Sequence, residues 1–150
     1  MTILERLQSD MIKAAKARDA ERLGVIRFVR SRAKDRQIEL RRELKDEDVV
    51  EVLARIAKQH RESIEQFTAG GRDELVSAER RKLDIVKEYM PEQLDDDEIG
   101  DVVREVIEET GASGPRDIGV VMKAVMPRVK GRADGGRVKS LVQAMLTQGR

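Results

Sequence analysis

The sequence predicts an all-α protein: an N-terminal helical domain of about four helices with a long hairpin, followed by a compact C-terminal three-helix bundle. Apolar residues recur at steps of three and four along the 150 residues, which is the period of an amphipathic helix. No window of useful length alternates strictly between apolar and polar residues, as a half-buried strand would. Capping and turn residues divide this helical pattern into seven segments.

The first four predicted helices form the N-terminal domain. The first opens with Thr2–Glu5, a capping-box pattern in which hydroxyl and carboxylate satisfy the amides of the first turn. Asp19 is the predicted cap of the second helix, which runs toward Leu40. The third begins near Asp46 and stops at Gly70-Gly71, and the fourth runs from about Asp73 to Tyr89. Residues predicted to face the core share helical spacing: Leu4, Leu7, Met11, Ala15, Leu23, Ile26, Val29, Ala33, Val49, Val52, Leu53, Ile56, Ile64, Phe67, Leu75, Ala78, Leu83, Ile85 and Val86.

A domain boundary is predicted at Pro91, because proline cannot continue a helix and the composition changes at the same place. The two predicted domains are residues 1–91 and residues 92–150. The second domain holds three helices. Their predicted caps and breakers are Asp95 with Glu98, Gly111, Ser113 with Pro115, and Asp134.

Charge is segregated along a chain whose net charge is only +1. Residues 91–110 contain nine carboxylates and one cation, a balance of −8, whereas residues 111–150 contain eight cations and two carboxylates, a balance of +6. Residues 16–42 carry ten cations and four carboxylates, again +6. This basic second helix has three interpretations: an RNA-facing surface, docking against the acidic fifth helix, or pairing of Arg22, Arg30 and Arg36 with carboxylates on helices three and four. We favour the third.

Composition excludes several classes of function. The chain has no cysteine, which excludes disulfides, thiolate zinc sites and cysteine nucleophiles. With two phenylalanines and one tyrosine, it lacks the aromatic platforms on which single-stranded nucleic acids stack, so any RNA must be bound through phosphates and shape. The only histidine, His60, falls on or near a buried stripe and is interpreted as a packing residue rather than a base. We expect no metal, cofactor or membrane partner, and a cytoplasmic protein, because no bilayer-length apolar run and no secretion signal is present.

The candidate site is the basic, glycine-containing turn between helices six and seven. It leads into a helix N-terminus, where free amides and the helix dipole favour an anion. It is not a nucleotide-binding P-loop, because no strand precedes it and no hydroxyl residue follows its lysine. A solvated turn with incidental cations remains the alternative. The candidate RNA-binding residues are Lys123, Arg128, Lys130, Gly131, Arg132, Gly135 and Arg137.

Four motifs, in this order and spacing, closely resemble the YqeY family. They are Tyr89–Leu94, Glu109–Ala112, Gly119–Met122 and Lys130–Gly135. Three earlier segments, Leu4–Leu7, Glu21–Arg27 and Ser63–Phe67, fit the same family, so the resemblance covers essentially the full chain. YqeY proteins are similar to the C-terminal tail of the GatB subunit of the tRNA-dependent amidotransferases. One departure is Lys45, where many relatives have a hydroxyl residue before the third helix, so the cap of that helix is left open.

The resemblance implies a function in translation. In the amidotransferase the tail is a helical appendage that contacts the outer corner of tRNA, while the catalytic cradle lies elsewhere. It therefore implies a stand-alone, non-catalytic tRNA-binding accessory module that contacts the RNA backbone through a basic loop, with structured RNA, first of all tRNA, as partner. One alternative is a protein-interaction adaptor for an amidotransferase or a tRNA-charging enzyme. A weaker one is participation in glutamine-dependent carbon–nitrogen ligase activity, for which the sequence offers no catalytic residues.

Overall fold

A computed structural model describes residues 1–148, which fold into helices joined by turns and short connections. The helices are α1 (Ile3–Lys16), α2 (Ala20–Leu40), α3 (Asp46–Ala69), α4 (Asp73–Lys87), α5 (Asp96–Thr110), α6 (Ile118–Val129) and α7 (Gly135–Gln148). A 3-10 turn, Pro115–Asp117, precedes α6. These residues contain no strand, so the all-α prediction is confirmed over the described chain. Arg150, one of the cations counted above, lies outside the described residues.

The starts of α1, α2 and α5 follow the predicted caps. Thr2 Oγ1 accepts a hydrogen bond from the amide of the fifth residue at 3.1 Å, and Asp19 Oδ1 accepts one from the amide of residue 22 at 3.1 Å. Asp95 and Glu98 form a reciprocal capping box, with bonds of 2.8 and 3.3 Å. Gly111 ends α5 at φ +69°, a left-handed conformation that glycine adopts without a side-chain clash.

The start of α3 is capped by a carboxylate from within the helix. Lys45 occupies the cap position but its side chain has no acceptor, so Asp48 reaches back and accepts from the Lys45 amide at 2.8 Å. The Arg42 guanidinium donates two further bonds to the same carboxylate, at 2.7 and 3.0 Å. The bonds from Arg42 and the Lys45 amide lower the pKa of Asp48 to about 2.

The chain folds as two compact units, Met1–Pro91 and Glu92–Arg150. The core of the first unit is built from apolar residues of α1 to α4 and the segment that follows α4: Leu7, Val25, Ile26, Val29, Val49, Val52, Leu53, Ile56, Ala57, Leu83, Ile85, Val86 and Tyr89. Two residues predicted inside, Ala15 and Leu75, are exposed. Ala15 lies eight residues after Leu7, and Leu75 lies eight residues before Leu83, so each points about 80° away from a buried leucine around the helix axis. Ala14 is seven residues from Leu7, points almost the same way as Leu7 and is buried.

Tyr89 joins the end of the fourth helix to the first. Its ring is buried, and its hydroxyl donates to Asp10 Oδ2 at 2.5 Å. Burial, with the bond to Asp10 as a second cause, raises the pKa of Tyr89. The Arg6 guanidinium lies 5.1 Å from the ring centroid and donates to the Glu88 carbonyl, while Arg22 pairs with the Glu88 carboxylate at 2.9 Å. These contacts fix the C-terminal end of α4 against α1 and α2.

The second unit is a three-helix arrangement around a valine-rich core. Its buried residues come from α5, α6 and α7: Ile99, Val103, Val106, Val121, Val125, Val129, Val138, Val142 and Leu146. The prediction that Ser113 caps the sixth helix is wrong. The Ser113 amide instead donates to Asp117 Oδ2 at 2.9 Å, and α6 begins only at Ile118, after the 3-10 turn that starts at Pro115.

Candidate anion-binding site

The loop between α6 and α7, residues 130–134, is a tight turn whose shape depends on glycine. Gly131 is buried and adopts φ +75°, a conformation that is strained for any residue with a side chain. The amides of Arg132 and Ala133 both donate to the carbonyl of Val129, at 2.8 and 3.1 Å. The backbone therefore reverses direction within a few residues, and its hydrogen bonds fix the position from which the Lys130 and Arg132 side chains extend.

The segment just before α5 braces this loop. Gln93 Nε2 donates to the Gly131 carbonyl at 2.9 Å, and the Leu94 amide donates to the Arg132 carbonyl at 2.8 Å. In return, Arg132 Nε donates to the Glu92 carbonyl at 3.2 Å. Sequence reasoning treated these two segments as separate motifs, and the structure makes them one hydrogen-bonded element.

The N-terminus of α7 adjoins the loop. The Asp134 carboxylate accepts from the Arg137 amide at 3.3 Å, which confirms Asp134 as the cap. The first turn of α7 contains no acidic residue, so the positive end of its dipole meets no further carboxylate of its own helix. A Cβ added at Gly135 would meet Met126 Cε at 3.6 Å, an ordinary contact. Gly131 is thus the position at which this turn requires glycine.

Two of the predicted cations are held by carboxylates of α5. Arg137 Nε donates to Asp96 Oδ1 at 2.8 Å and its Nη2 contacts the second carboxylate oxygen. The Arg137 hydrogen bonds lower the pKa of Asp96. Arg128 pairs with Glu109 and lies 3.6 Å from Glu105 Oε2. All these side chains are more than a third exposed, so an incoming anion can compete for both guanidinium groups.

The remaining predicted residues divide into near and peripheral positions. Lys130 is exposed on the turn and Arg132 is half-buried beside it. Lys123 is exposed on α6, five residues before Arg128, which places it about 7.5 Å further along the helix axis. Lys130 and Arg132 lie on the turn itself, and Arg137 is held by Asp96 at the start of α5. Arg128 is held by Glu105 and Glu109, which lie about 14 and 20 Å further along α5, so Arg128 and Lys123 are peripheral to the turn.

Sequence reasoning missed Gln93, which donates to the Gly131 carbonyl, and the carboxylate partners of the cations, which are Asp96, Glu105 and Glu109. They lie far away in sequence, and only the packing of α5 against α6 and α7 brings them close. The opposite charge excesses of residues 91–110 and 111–150 were the available signal.

His60 lies outside this group, on α3. It is half-buried, as predicted, and its Nδ1 is 2.6 Å from Glu79 Oε2 on α4. Lys82 Nζ lies 3.7 Å from the other oxygen of the same carboxylate. Among residues 1–148, no group of three or more His, Asp or Glu side chains is arranged to hold a metal ion. No helix in that part of the chain combines the length and apolar composition needed to cross a bilayer.

The basic residues of α2 are only partly paired as predicted. Arg36 lies 3.8 Å from Glu51 on α3, and Arg22 pairs with Glu88 just after α4. The expectation for Arg30 is wrong: it donates to Gln8 Oε1 at 2.6 Å and to the Met11 sulfur at 2.9 Å, both on α1. Arg30 faces α1 because α1 packs along this side of α2, and its partners there are the amide oxygen of Gln8 and the sulfur of Met11.

The comparison with protein families decides the assignment. Residues 4–146 match the family described as Yqey-like protein. The chain belongs to the YqeY family. The match covers nearly the whole chain and confirms the resemblance drawn from the four sequence motifs.

The curated relatives of this YqeY-family chain carry the name Altered inheritance of mitochondria protein 41, mitochondrial. The relative from Pyrenophora tritici-repentis is 28% identical over 147 residues, which cover 96% of this chain and 81% of the relative. One from Saccharomyces cerevisiae strain YJM789 is 34% identical over 85 residues, or 56% of this chain and 46% of the relative. One from Eremothecium gossypii is 31% identical over 88 residues, or 58% and 48%. The matched part thus spans less than half the length of the last two.

These names correct one prediction. The sequence led us to expect a cytoplasmic protein, and that expectation is wrong by this comparison, because the relatives are mitochondrial by name. The absence of a signal in the first residues of the chain had carried the prediction, and such an absence does not fix a compartment.

Proposed function

We propose that this YqeY-family protein is a stand-alone, non-catalytic accessory module that binds structured RNA, in the first place tRNA. In this proposal, the C-terminal three-helix domain contacts the RNA and the four-helix N-terminal domain is separate from that contact. The observation that carries the proposal is the braced turn at Gly131, which bears Lys130 and Arg132 and leads into the first turn of α7, where Arg137 lies. Loose cations on a mobile loop would lose more conformational entropy on binding than cations held in this way.

The chemistry of the group favours phosphate over bases. Arginine and lysine side chains with a helix N-terminus form a common arrangement for phosphate oxygens. The chain has no tryptophan and no aromatic residue after Tyr89, so the second unit offers no ring on which a base can stack. Recognition in this proposal therefore depends on the spacing of backbone phosphates, and it favours folded RNA over a particular sequence.

The carboxylates of α5 have a defined part in this proposal. In the free protein, Asp96 and Glu109 neutralise Arg137 and Arg128. A phosphate carries the same charge and matches the same bidentate geometry, so RNA replaces one set of oxygens with another. Because a carboxylate must be displaced, RNA binds more weakly than it would to the same guanidinium groups without carboxylate partners. For the same reason, a free anion with a single phosphate binds weakly.

The experiment is a titration of labelled bulk tRNA with wild-type protein and with a Lys130→Ala/Arg132→Ala variant. A matched control removes two exposed cations of α3, in an Arg55→Ala/Lys58→Ala variant. We expect the loop variant to bind tRNA roughly tenfold more weakly, as the loss of two phosphate contacts gives, and the control to bind as wild type does. Equal loss in the two variants would mean that net charge, and not the loop, governs binding.

A further inference from the structure

A long groove lies between α1 and α2 in the first unit, with a volume of about 950 Å³. It is far in sequence from the basic loop, and the proposed RNA contact does not use it. Residues Leu4 to Ile12 line it on α1 and residues Arg27 to Gln37 line it on α2. At 1.5 Å per residue these spans are about 12 and 15 Å long, which is the length of a helix of two to three turns.

The floor of the groove is apolar and in part open to solvent. Leu4 and Leu44 are half-buried against the core of the unit, and Ala33 is buried at the base. Ile12 is 45% exposed, although α1 has an otherwise well-packed apolar face. The residues Leu4, Gln8 and Ile12 recur every four positions, so they form one continuous wall along α1.

The opposite rim is basic. Arg27, Arg30 and Lys34 recur along α2 at steps of three and four and thus line one edge, while Glu5 is the single carboxylate among the lining residues. Arg30 is fixed across the groove by its bonds to Gln8 and Met11. Within residues 1–148, neither Arg27 nor Lys34 makes an ion pair, so both charges are available to a partner.

From these three features we infer that the groove binds an amphipathic helix with acidic flanks, supplied by a partner protein. The helix would place apolar residues at steps of i, i+4 and i+7 on the floor, with Glu or Asp facing the rim. An apolar floor gives no favourable contact to phosphates, which is why the groove fits an acidic helix better than RNA. The inference is independent of the proposed RNA function, because it concerns the other unit.

The test uses a synthetic peptide of about 14 residues, long enough for three to four turns, with Leu at the i, i+4 and i+7 positions and Glu beside them. A scrambled peptide of identical composition is the control for charge alone. Binding is measured by fluorescence anisotropy to wild-type protein and to three variants: Ile12→Ser, Arg27→Glu/Lys34→Glu, and Arg55→Glu/Lys58→Glu as a matched pair of exposed cations outside the groove. Circular dichroism establishes that each variant is folded.

We expect the designed peptide to bind more tightly than the scrambled one. Reversal of Arg27 and Lys34 should weaken binding roughly tenfold, and Ile12→Ser should weaken it severalfold, whereas Arg55→Glu/Lys58→Glu should leave it unchanged. Equal binding of both peptides, or no loss in Ile12→Ser, would overturn the inference. Displacement of the peptide by an RNA duplex, with loss of RNA binding in the rim variant, would identify a nucleic-acid surface and overturn it as well.

Discussion

The ion pair between Asp96 and Arg137 gives a prediction of unusual sign, in which removal of a charged side chain strengthens binding. Asp96→Asn removes the carboxylate that holds the Arg137 guanidinium, while the cap of α5 at Asp95 stays in place. Arg137 is then available for an RNA phosphate from the start. Asp97→Asn is the matched control, because it removes the same charge from the same exposed first turn of α5 and leaves the pair between Asp96 and Arg137 in place.

The size of the effect follows from the Arg137 contact, which in wild type exchanges one anion for another and in Asp96→Asn becomes one net phosphate contact. Each contact steepens the dependence of log affinity on log salt concentration by about 0.9, so a fourfold change in salt alters its contribution about threefold. We expect Asp96→Asn to gain about threefold more affinity for tRNA than Asp97→Asn when salt falls from about 200 to about 50 mM. The assay is a tRNA titration with each variant at several salt concentrations. Identical salt slopes in the two variants would refute the role given to Arg137.

Further predictions concern stability. Because its pKa is lowered to about 2, the Asp48 carboxylate stabilises the folded state above about pH 4, and this contribution is lost as pH falls toward 2. The urea midpoint of wild type should therefore fall more steeply than that of Asp48→Asn between about pH 5 and 2, and parallel curves would contradict this. Leu53→Ala, in the first core, should lower the free energy of unfolding by about 2–5 kcal/mol, as followed by the signal of Tyr89, the only tyrosine. Leu146→Ala, in the second core, should lower the free energy of unfolding of that unit by a similar amount, measured by far-ultraviolet circular dichroism, and should leave the unfolding transition reported by Tyr89 unchanged. A shift of the Tyr89 transition would instead show that the two cores unfold together.

Local features of the fold were predictable from the sequence. Asp19, Asp95 and Asp134 were identified as caps because a short carboxylate reaches an amide only three residues away, and one turn of sequence decides this contact. Gly111 was likewise identified as a helix end from its position after the last apolar residue of α5. The period of apolar residues also placed most of the first core, except where, as at Ala15, the choice of a position one residue away turned the side chain toward solvent.

Contacts between residues that are distant in sequence were not predictable in the same way. Gln93 reaches Gly131 across 38 residues and Arg137 reaches Asp96 across 41, and only the packing of the helices determines these distances. The sequence identified the basic turn and the acidic block, but it could not tell which cations the block neutralises. It also identified α2 as a basic helix, for which we favoured pairing with carboxylates, whereas the open groove beside α2 depends on how α1 lies along that helix.

The most direct test of the central claim is the salt dependence of tRNA binding by the wild-type protein. With Lys130 and Arg132 in contact with phosphates, and with Arg137 exchanging the Asp96 carboxylate for a phosphate, the slope of log affinity against log salt should be about −2. Lys130→Ala/Arg132→Ala should bring this slope close to zero. Binding that does not depend on salt, or no binding of tRNA at low salt, would contradict the account and leave the basic turn as a structural feature.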